Sequence, residues 1–429
     1  MPAFDTKNVH DRVFAKSGLD ADQQASLIAR YSHHDDQRSV DQAAITELAR
    51  QVDTQEISEI PEGGLCIFES GHYRLTNDII WKAGEEATAA ICIFADDVTI
   101  DLNGFALHIE PWSLKSQIAA ILVWDDKSDR QNVTIKNGNI INAGYRGIWA
   151  HGVSKLTIED LLISGLTFND LDTRTAFPAG IYINQCADVT ISSATVQYGY
   201  VTADVAAGIV LMKSLGAAVT DCNISNFTNN DGSMQGYAAY ESKSILWTGC
   251  SVEQLQSFFH ANIRTGGHTA IGFMPCICAE LEIIDCSARN IIGSRDDCHG
   301  MSIFICAEAK ASGFFADTVV DGPAPYHIGA KATGLEVYGW GVTVENCEVS
   351  NIFANCPQDR QSAGFAMWGS DINVKGCVAN NVQVFDAQGE PSTEHGLGVG
   401  FGWAPDPRPE FCHTPAEKVL YEACVAQEC

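Results

Sequence analysis

The chain has 429 residues, 46% of them hydrophobic and 19% charged, with a formal net charge of −28. That composition can bury a sizeable core, but it sets the surface against nucleic acid, whose binding needs Lys and Arg to displace counterions, and weighs against polyanions unless a local basic patch overrides the field. No apolar run reaches the roughly 18 residues of a membrane span, and the opening MPAFDTKNVHDRVFAKSG lacks the apolar segment of a secretory signal, so a cytoplasmic protein with no membrane partner is expected.

Residues 1–60 differ from the rest. Leu19, Leu27, Ile28 and Tyr31, then Val40, Ala44, Leu48 and Val52, fall at helical spacing, and Ser39 with Gln42 fits a capping box. The expectation is an α-helical cap over the end of a repeat array, whose open end would expose core and strand edges.

From residue 61 to 429 the rhythm is that of strands. The entry strand is read from ESGHYRLTNDI (69–79), and 90–107 gives a first clear rung. Strand starts then recur at Ala120, Gly147, Gly180, Gly208, Ala238, Ala270, Gly300, Gly334, Gly364 and Gly398, spaced 27 to 34 residues apart. A fixed period in that range marks a solenoid or similar array. In 334–351, GLEVYGWGVTVENCEVSN, one repeat shows its parts: two alternating strands, a glycine-rich corner, a cysteine and a closing asparagine. Insertions at 169–179, 229–236, 289–299, 321–333 and 356–363 all precede a strand start, so in space they form one wall of loops. The Pro-rich 402–411 interrupts the rhythm before a last strand at 419–425.

Two columns accompany the period. Cys222, Cys250, Cys286, Cys347, Cys377 and Cys424 align, and Asn226, Asn290, Asn351 and Asn381 follow four residues later, with Asn142 at the equivalent place. One Asn per repeat at a fixed corner suits a parallel coil in which each amide bonds the coil above. The cysteines read as reduced, buried packing residues.

Coil length, the Asn corner and VTIDLNG (98–104) resemble the right-handed parallel β-helix family, which includes pectate lyases and polygalacturonases. The resemblance covers roughly 61–425. It implies an all-β, single-stranded right-handed parallel β-helix of about ten or more coils, and says little of substrate. A narrower likeness fails. Polygalacturonases carry paired aspartates, then Gly-His-Gly on the next coil, then Arg-x-Lys. Here Asp296 and Asp297 directly precede His299, Cys298 replaces the first Gly, and Lys331 stands without its Arg, so inverting hydrolysis does not transfer.

Residues two and four after each opening Gly should point outward and form one strip, with neighbouring coils ~4.8 Å apart. Trp149, Tyr182, Tyr338 and Trp368 on it suit stacking against sugar rings, or burial under loops or a partner subunit; His151 and Ser302 lie beside them. The densest polar cluster is GSRDDCHGMSIF (293–304), where Asp296, Asp297 and His299, with Glu336 one coil over from Ser302, suit general acid–base work. Arg264, His268, Lys331 and Arg360 on adjoining loops can hold an anionic group or an oxyanion. The plain alternatives are a solvated turn capped by Asp296 and exposed salt bridges worth little. Cys276, Cys278, Cys298, His299 and Cys306 lack metal-site spacing, and no phosphate loop is present, so neither metal nor cofactor is expected.

Three functions follow from these residues. The first is a carbohydrate-active hydrolase, lyase or epimerase. The second is a cofactor-free isomerase, cyclase or lyase acting on a small, partly apolar metabolite. The third is a non-catalytic solenoid. An open groove would imply an oligosaccharide, a closed pocket a small molecule, and a flat face leaves a homo-oligomer open.

Overall fold

The repeat period is the length of one coil. The computed structural model describes residues 54–111, 113–114, 117–124, 129–169, 177–230, 232–258, 269–293, 297–321, 331–355, 360–385, 396–402, 417–427 and 429. All regular structure in them is strand. Strands pair in parallel with their counterparts one coil away, as Arg146–His151 does with Ala119–Val123 on one side and Ala179–Asn184 on the other. The result is a right-handed parallel β-helix with three faces. Among the described residues, no helix is long and apolar enough to cross a membrane.

The first face runs from Leu65–Ile67 through Arg146–His151 and Cys298–Ser312 to Gly396–Gly402. The second runs from Thr54–Ile57 to Glu417–Glu422. The third runs from Ile79–Lys82 to Val425–Gln427. Thr54–Ile57 is a strand inside the stretch assigned to the cap, and the helical spacing at 19–52 lies outside the described residues.

On the first face, Gly147, Gly180, Gly208, Gly236, Gly272, Gly300, Gly334, Gly364 and Gly400 share one register position. The strand starts read at Ala238, Ala270 and Gly398 are therefore each displaced by two residues. Strands repeat every two residues, so the slip leaves inside and outside unchanged. The column is glycine because the chain bends there against the core: a Cβ on Gly300 would lie 2.5 Å from the Gly334 carbonyl oxygen and 2.7 Å from Ala316 Cβ. One residue on, Ile148, Ile181, Ile209, Tyr237, Phe273, Met301, Leu335 and Phe365 stack inside. Tyr237 and Phe273 lie ring on ring with centroids 4.8 Å apart. Each such side chain contributes about 1.5–3 kcal/mol of burial.

The cysteine column has a structural cause. Between the second and third faces the chain turns through a left-handed residue, Asp221, Gly249, Asp285, Gly313, Asn346 or Gly376. The next residue is Cys222, Cys250, Cys286, Phe314, Cys347 or Cys377. The thiol donates back to the carbonyl two residues earlier, 3.3 Å from Cys286 to Ile284 and 3.4 Å from Cys377 to Lys375. The corner between the first and second faces is built alike. Left-handed Gln185, Lys213, Glu241, Ile277 and Ile305 precede Cys186, Ser214, Ser242, Cys278 and Cys306. These too reach back two residues, 2.8 Å from Ser242 to Tyr240 and 3.4 Å from Cys306 to Phe304. The described cysteines are all free thiols.

The Asn column lies at the third-face corner. Asn142, Asn226, Asn290, Asn351 and Asn381 all have positive φ, as do Tyr198, Gln254 and Thr318 in the same column. Asn is favoured because it tolerates this backbone. Amide stacking adds to it where Asn381 donates to Asn351 (2.6 Å), while Asn351 donates to Asp317 (2.7 Å).

Candidate functional site

Alternation turns one set of first-face side chains outward, and a second apolar cluster forms there, separate from the core inside the coil. It contains Tyr182, Val210, Met212, Ala238, Tyr240, Met274, Phe304, Tyr338 and Trp368, all buried, with Trp149 partly buried against it. The outward strip is thus a covered surface, not an open groove. Polar side chains interrupt it at two main stations.

The first station lies on the coils beginning at Gly300 and Gly334. Strand register sets Ser302 directly beside Glu336 and His299 beside Thr333. Ser302 Oγ donates to Glu336 Oε2 at 2.7 Å, and His299 Nδ1 lies 3.7 Å from the same oxygen. That is beyond direct hydrogen-bond reach. His299, Ser302 and Glu336 are only 3%, 2% and 8% exposed. His299 Nδ1 is buried without a hydrogen-bond partner, and such an atom is costly unless something else comes to meet it. Lys331, also buried, lies at the mouth of the same strand, with Nζ 5.2 Å from the centre of the Trp368 ring. The Tyr338 and Phe304 rings pack 5.6 Å apart beside it.

Asp297 performs a structural task here. Its carboxylate accepts the backbone N–H of Lys331 at 3.2 Å, tying the start of one coil to the next. Burial pushes the neighbouring Cys298 thiol well above its usual range, and the Asp321 carboxylate adds to this. A thiol held protonated is a poor nucleophile. Asp296, Arg264 and His268 lie outside the described residues, as does the side chain of Arg360, whose backbone begins the strand Arg360–Lys375.

The second station lies on the coils of Gly147 and Gly180, five coils from His299 for the nearer-terminal one, or about 24 Å at the usual strand spacing. Trp149, His151 and Tyr182 belong to it. His151 Nδ1 lies 3.0 Å from Asn184 Nδ2, and Trp124 stacks on Trp149 with centroids 5.6 Å apart. Burial raises the Asp129 carboxyl, against the lowering pull of positive groups that include His151 and Arg130. The candidate binding residues therefore form two groups, and Trp149, His151 and Tyr182 do not join Ser302, Lys331, Tyr338 and Trp368 in one site. Between them, Tyr240 Oη donates to Gln235 Oε1 at 2.7 Å.

Arg146, Gln235 and Thr333 escaped the sequence reading. Each immediately precedes its column glycine and projects onto the outward strip, as His299 does. The glycine column was the available signal: counting one residue back from it, as well as two and four forward, finds all of them.

Residues 119–305 match a family model described as the right-handed beta helix region. No curated protein matches. Among solved structures the chain is similar to the tailspike of E. coli bacteriophage HK620, at 11% identity and a TM-score of 0.39. The similarity covers 77% of this chain and 58% of that one, so the chain spans less than two thirds of the tailspike's length. It is similar to the DFA-IIIase of Arthrobacter chlorophenolicus A6 at 11% identity and a TM-score of 0.38, covering 79% of this chain and 83% of the other. It is also similar to the PL6 family polysaccharide lyase Pedsa3628 of Pseudopedobacter saltans, at 9% identity and a TM-score of 0.34, covering 87% and 92%. Structural neighbours of this chain thus include carbohydrate-active β-helix enzymes, and at these identities the likeness concerns the fold alone.

Proposed function

We propose that this right-handed β-helix protein is an acid–base enzyme of the carbohydrate-active kind, with Glu336 and His299 as its proton-transferring pair. One observation carries the reading: a carboxylate and an imidazole, drawn from adjacent coils, face each other at 3.7 Å in a site shielded from water. Ser302 donates to Glu336 and fixes the carboxylate's orientation. A substrate hydroxyl reaching Glu336 can lose its proton there while His299 delivers one to the departing or re-forming bond, or the roles reverse. Lys331 brings positive charge to the site's edge, where a developing oxyanion or a carboxylate is stabilised. The buried Tyr338 and Trp368 rings form the apolar wall beside the pair.

The burial of the strip favours a short substrate, or the end of a chain, over a polymer lying along the coil. The same burial, with Met274 and Phe304 beside Ser302, supports a second reading, a cofactor-free isomerase or lyase working on a small, partly apolar metabolite.

The test is a ligand screen on the purified full chain, with oligosaccharides, uronic acids and apolar carboxylic acids, read by thermal shift. A ligand at a hundred times its Kd adds about 2.7 kcal/mol of stability. Turnover of any hit is then measured in wild type and Glu336→Gln. Sugar turnover that the variant loses is the expected result. Turnover of apolar acids alone would favour the second reading, and full activity in a folded Glu336→Gln would remove the site assignment.

A further inference from the structure

Most of the described cysteines are committed to the backbone, donating to the carbonyl two residues back as Cys222, Cys347 and Cys429 do. Cys66 and Cys92 are placed differently. They lie within the first-face strands Leu65–Ile67 and Ala89–Ile93, and the register sets one directly beside the other. Their strand neighbours Ile67, Ile91 and Ile93 are buried in the core of the coil, so alternation turns both thiols outward. Cys66 is exposed. Cys92 is only 4% exposed and belongs to a small outward cluster with Ala89, Ala119 and Leu122.

Registered neighbours in a sheet stand about 4.8 Å apart, inside the Cα separation of about 4.4–6.8 Å that a disulfide spans. The two thiols are already hydrogen-bonding neighbours. Side chains of registered parallel strands point the same way, whereas a disulfide draws its Cβ atoms to about 3.8 Å. Closing the bond therefore pinches the strands together, and a strained, accessible disulfide is one that reductants open readily. Leu65–Ile67 pairs with Ala89–Ile93 at three positions, a ladder short enough to give. Burial raises the Cys92 thiol to about 11, so it stays protonated at neutral pH and is a poor nucleophile. Attack on a solute must begin at Cys66.

We propose that Cys66 and Cys92 form a reversible oxidation site, at which a low-molecular-weight disulfide converts the two thiols into a bond between neighbouring coils. The Cys66 thiolate attacks one sulfur of the reagent, whose S–S bond breaks and releases one thiolate. Cys92 then gives its proton to solvent and attacks the Cys66 sulfur, and the second thiolate leaves. The pair loses two electrons and two protons, and the reagent takes up both electrons to become two thiols. An excess of reducing thiol reverses each step. Because Cys92 must first lose its proton, closure is the slower step and quickens as pH rises. The site is independent of the acid–base pair at Glu336 and does not require that pair to be catalytic.

The experiment treats the reduced full chain with oxidised glutathione, blocks the remaining thiols by alkylation and maps the peptides by mass spectrometry without reduction. A glutathione adduct should appear on Cys66 and then give way to a Cys66–Cys92 cross-linked peptide, lighter by two hydrogens than its two reduced parts. Dithiothreitol should restore both thiols. Cys92→Ser should hold the adduct on Cys66 without closure. Cys66→Ser, at an exposed position, should abolish adduct and cross-link alike, so it tests the site even if the change at buried Cys92 unfolds the chain. Cys429→Ser removes the other exposed thiol and should leave the cross-link intact. The proposal is overturned if Cys66 stays unmodified, if its adduct persists in the wild type, or if closure does not quicken with pH. Pairing of Cys66 with any other cysteine, or with a second copy of the chain, would equally overturn it.

Discussion

Along the first face, Met301 and Leu335 point into the coil, while Ser302 and Glu336, one residue further on, point out. The two columns share strands, hydrogen bonds and spacing, yet they answer to different constraints. The inward column is a stack in which every position must fill the coil interior, so the large apolar side chains Ile, Leu, Met, Phe and Tyr recur there. The outward column need only be compatible with whatever covers it. It runs from Trp149 and Tyr182 through Val210, Ala238 and Met274 to Ser302 and Glu336 without repeating. Regularity is the mark of packing, and departure from it marks positions released for chemistry.

The largest effects should separate these two columns. Glu336→Gln is expected to lower turnover by a hundredfold or more, the usual worth of a general acid or base at about 10²–10⁴, with the unfolding midpoint nearly unmoved. Leu335→Ala, its immediate neighbour, should cost about 2–5 kcal/mol of stability and leave turnover per folded molecule close to wild type. Denaturant titration and activity on the same samples decide the matter. Equal loss of activity in both, or of stability in both, would erase the distinction.

Next in size is the glycine column. Gly300→Val forces methyl groups into the Gly334 carbonyl and Ala316 and should cost about 1–3 kcal/mol or more. Gly63, whose added Cβ meets nothing within 4 Å, should accept Ala within about 0.5 kcal/mol. Asn351 lies below these: its φ of 56° predicts about 1–2 kcal/mol for Asn351→Ala and little for Asn351→Gly, because glycine adopts that conformation freely. If Ala and Gly cost the same, amide bonding to Asn381 outweighs the backbone as the reason for asparagine.

These cases also explain how far the sequence could be read. Period and parity were legible because each coil repeats the same packing problem, and the strand starts at Ala238 and Ala270 could slip by two residues without moving any side chain to the wrong face. The contact between Ser302 and Glu336 was legible for the same reason, since register alone creates it. Arg146 was not, because a lone arginine in a chain of −28 reads as a solvated charge until its enclosure by the Tyr145, Trp149 and Tyr182 rings is seen. Nor was the structural task of Asp297, which depends on the path of the backbone between coils. The covering of the strip depends on tertiary packing that has no period, so alternation could show which side chains face outward but not whether they meet solvent.

The smallest predicted effect concerns the two thiol and hydroxyl columns, and it tests whether they are one device. Cys250 and Ser242 each follow a left-handed corner and donate to the carbonyl two residues back, Cys250 at 3.5 Å and Ser242 at 2.8 Å. Oxygen makes the shorter and stronger bond, and sulfur fills more space and tolerates apolar surroundings better. At the corner between the first and second faces both residues already occur, as Ser214, Ser242, Cys278 and Cys306. Exchange there should be nearly free, so Ser242→Cys is expected within about 0.5 kcal/mol. Cys250 lies in the main core, which also holds Tyr237 and Trp247, so Cys250→Ser trades volume for hydrogen bonding and should cost about 1 kcal/mol. Cys250→Ala loses both the donor and the volume and should cost more than Ser. That ordering, Ala worse than Ser at 250 and near-equality of Cys and Ser at 242, is what a shared corner-closing bond requires. A reversal at 250, with Ala the milder change, would mean that volume alone selects cysteine there and that the two columns only look alike.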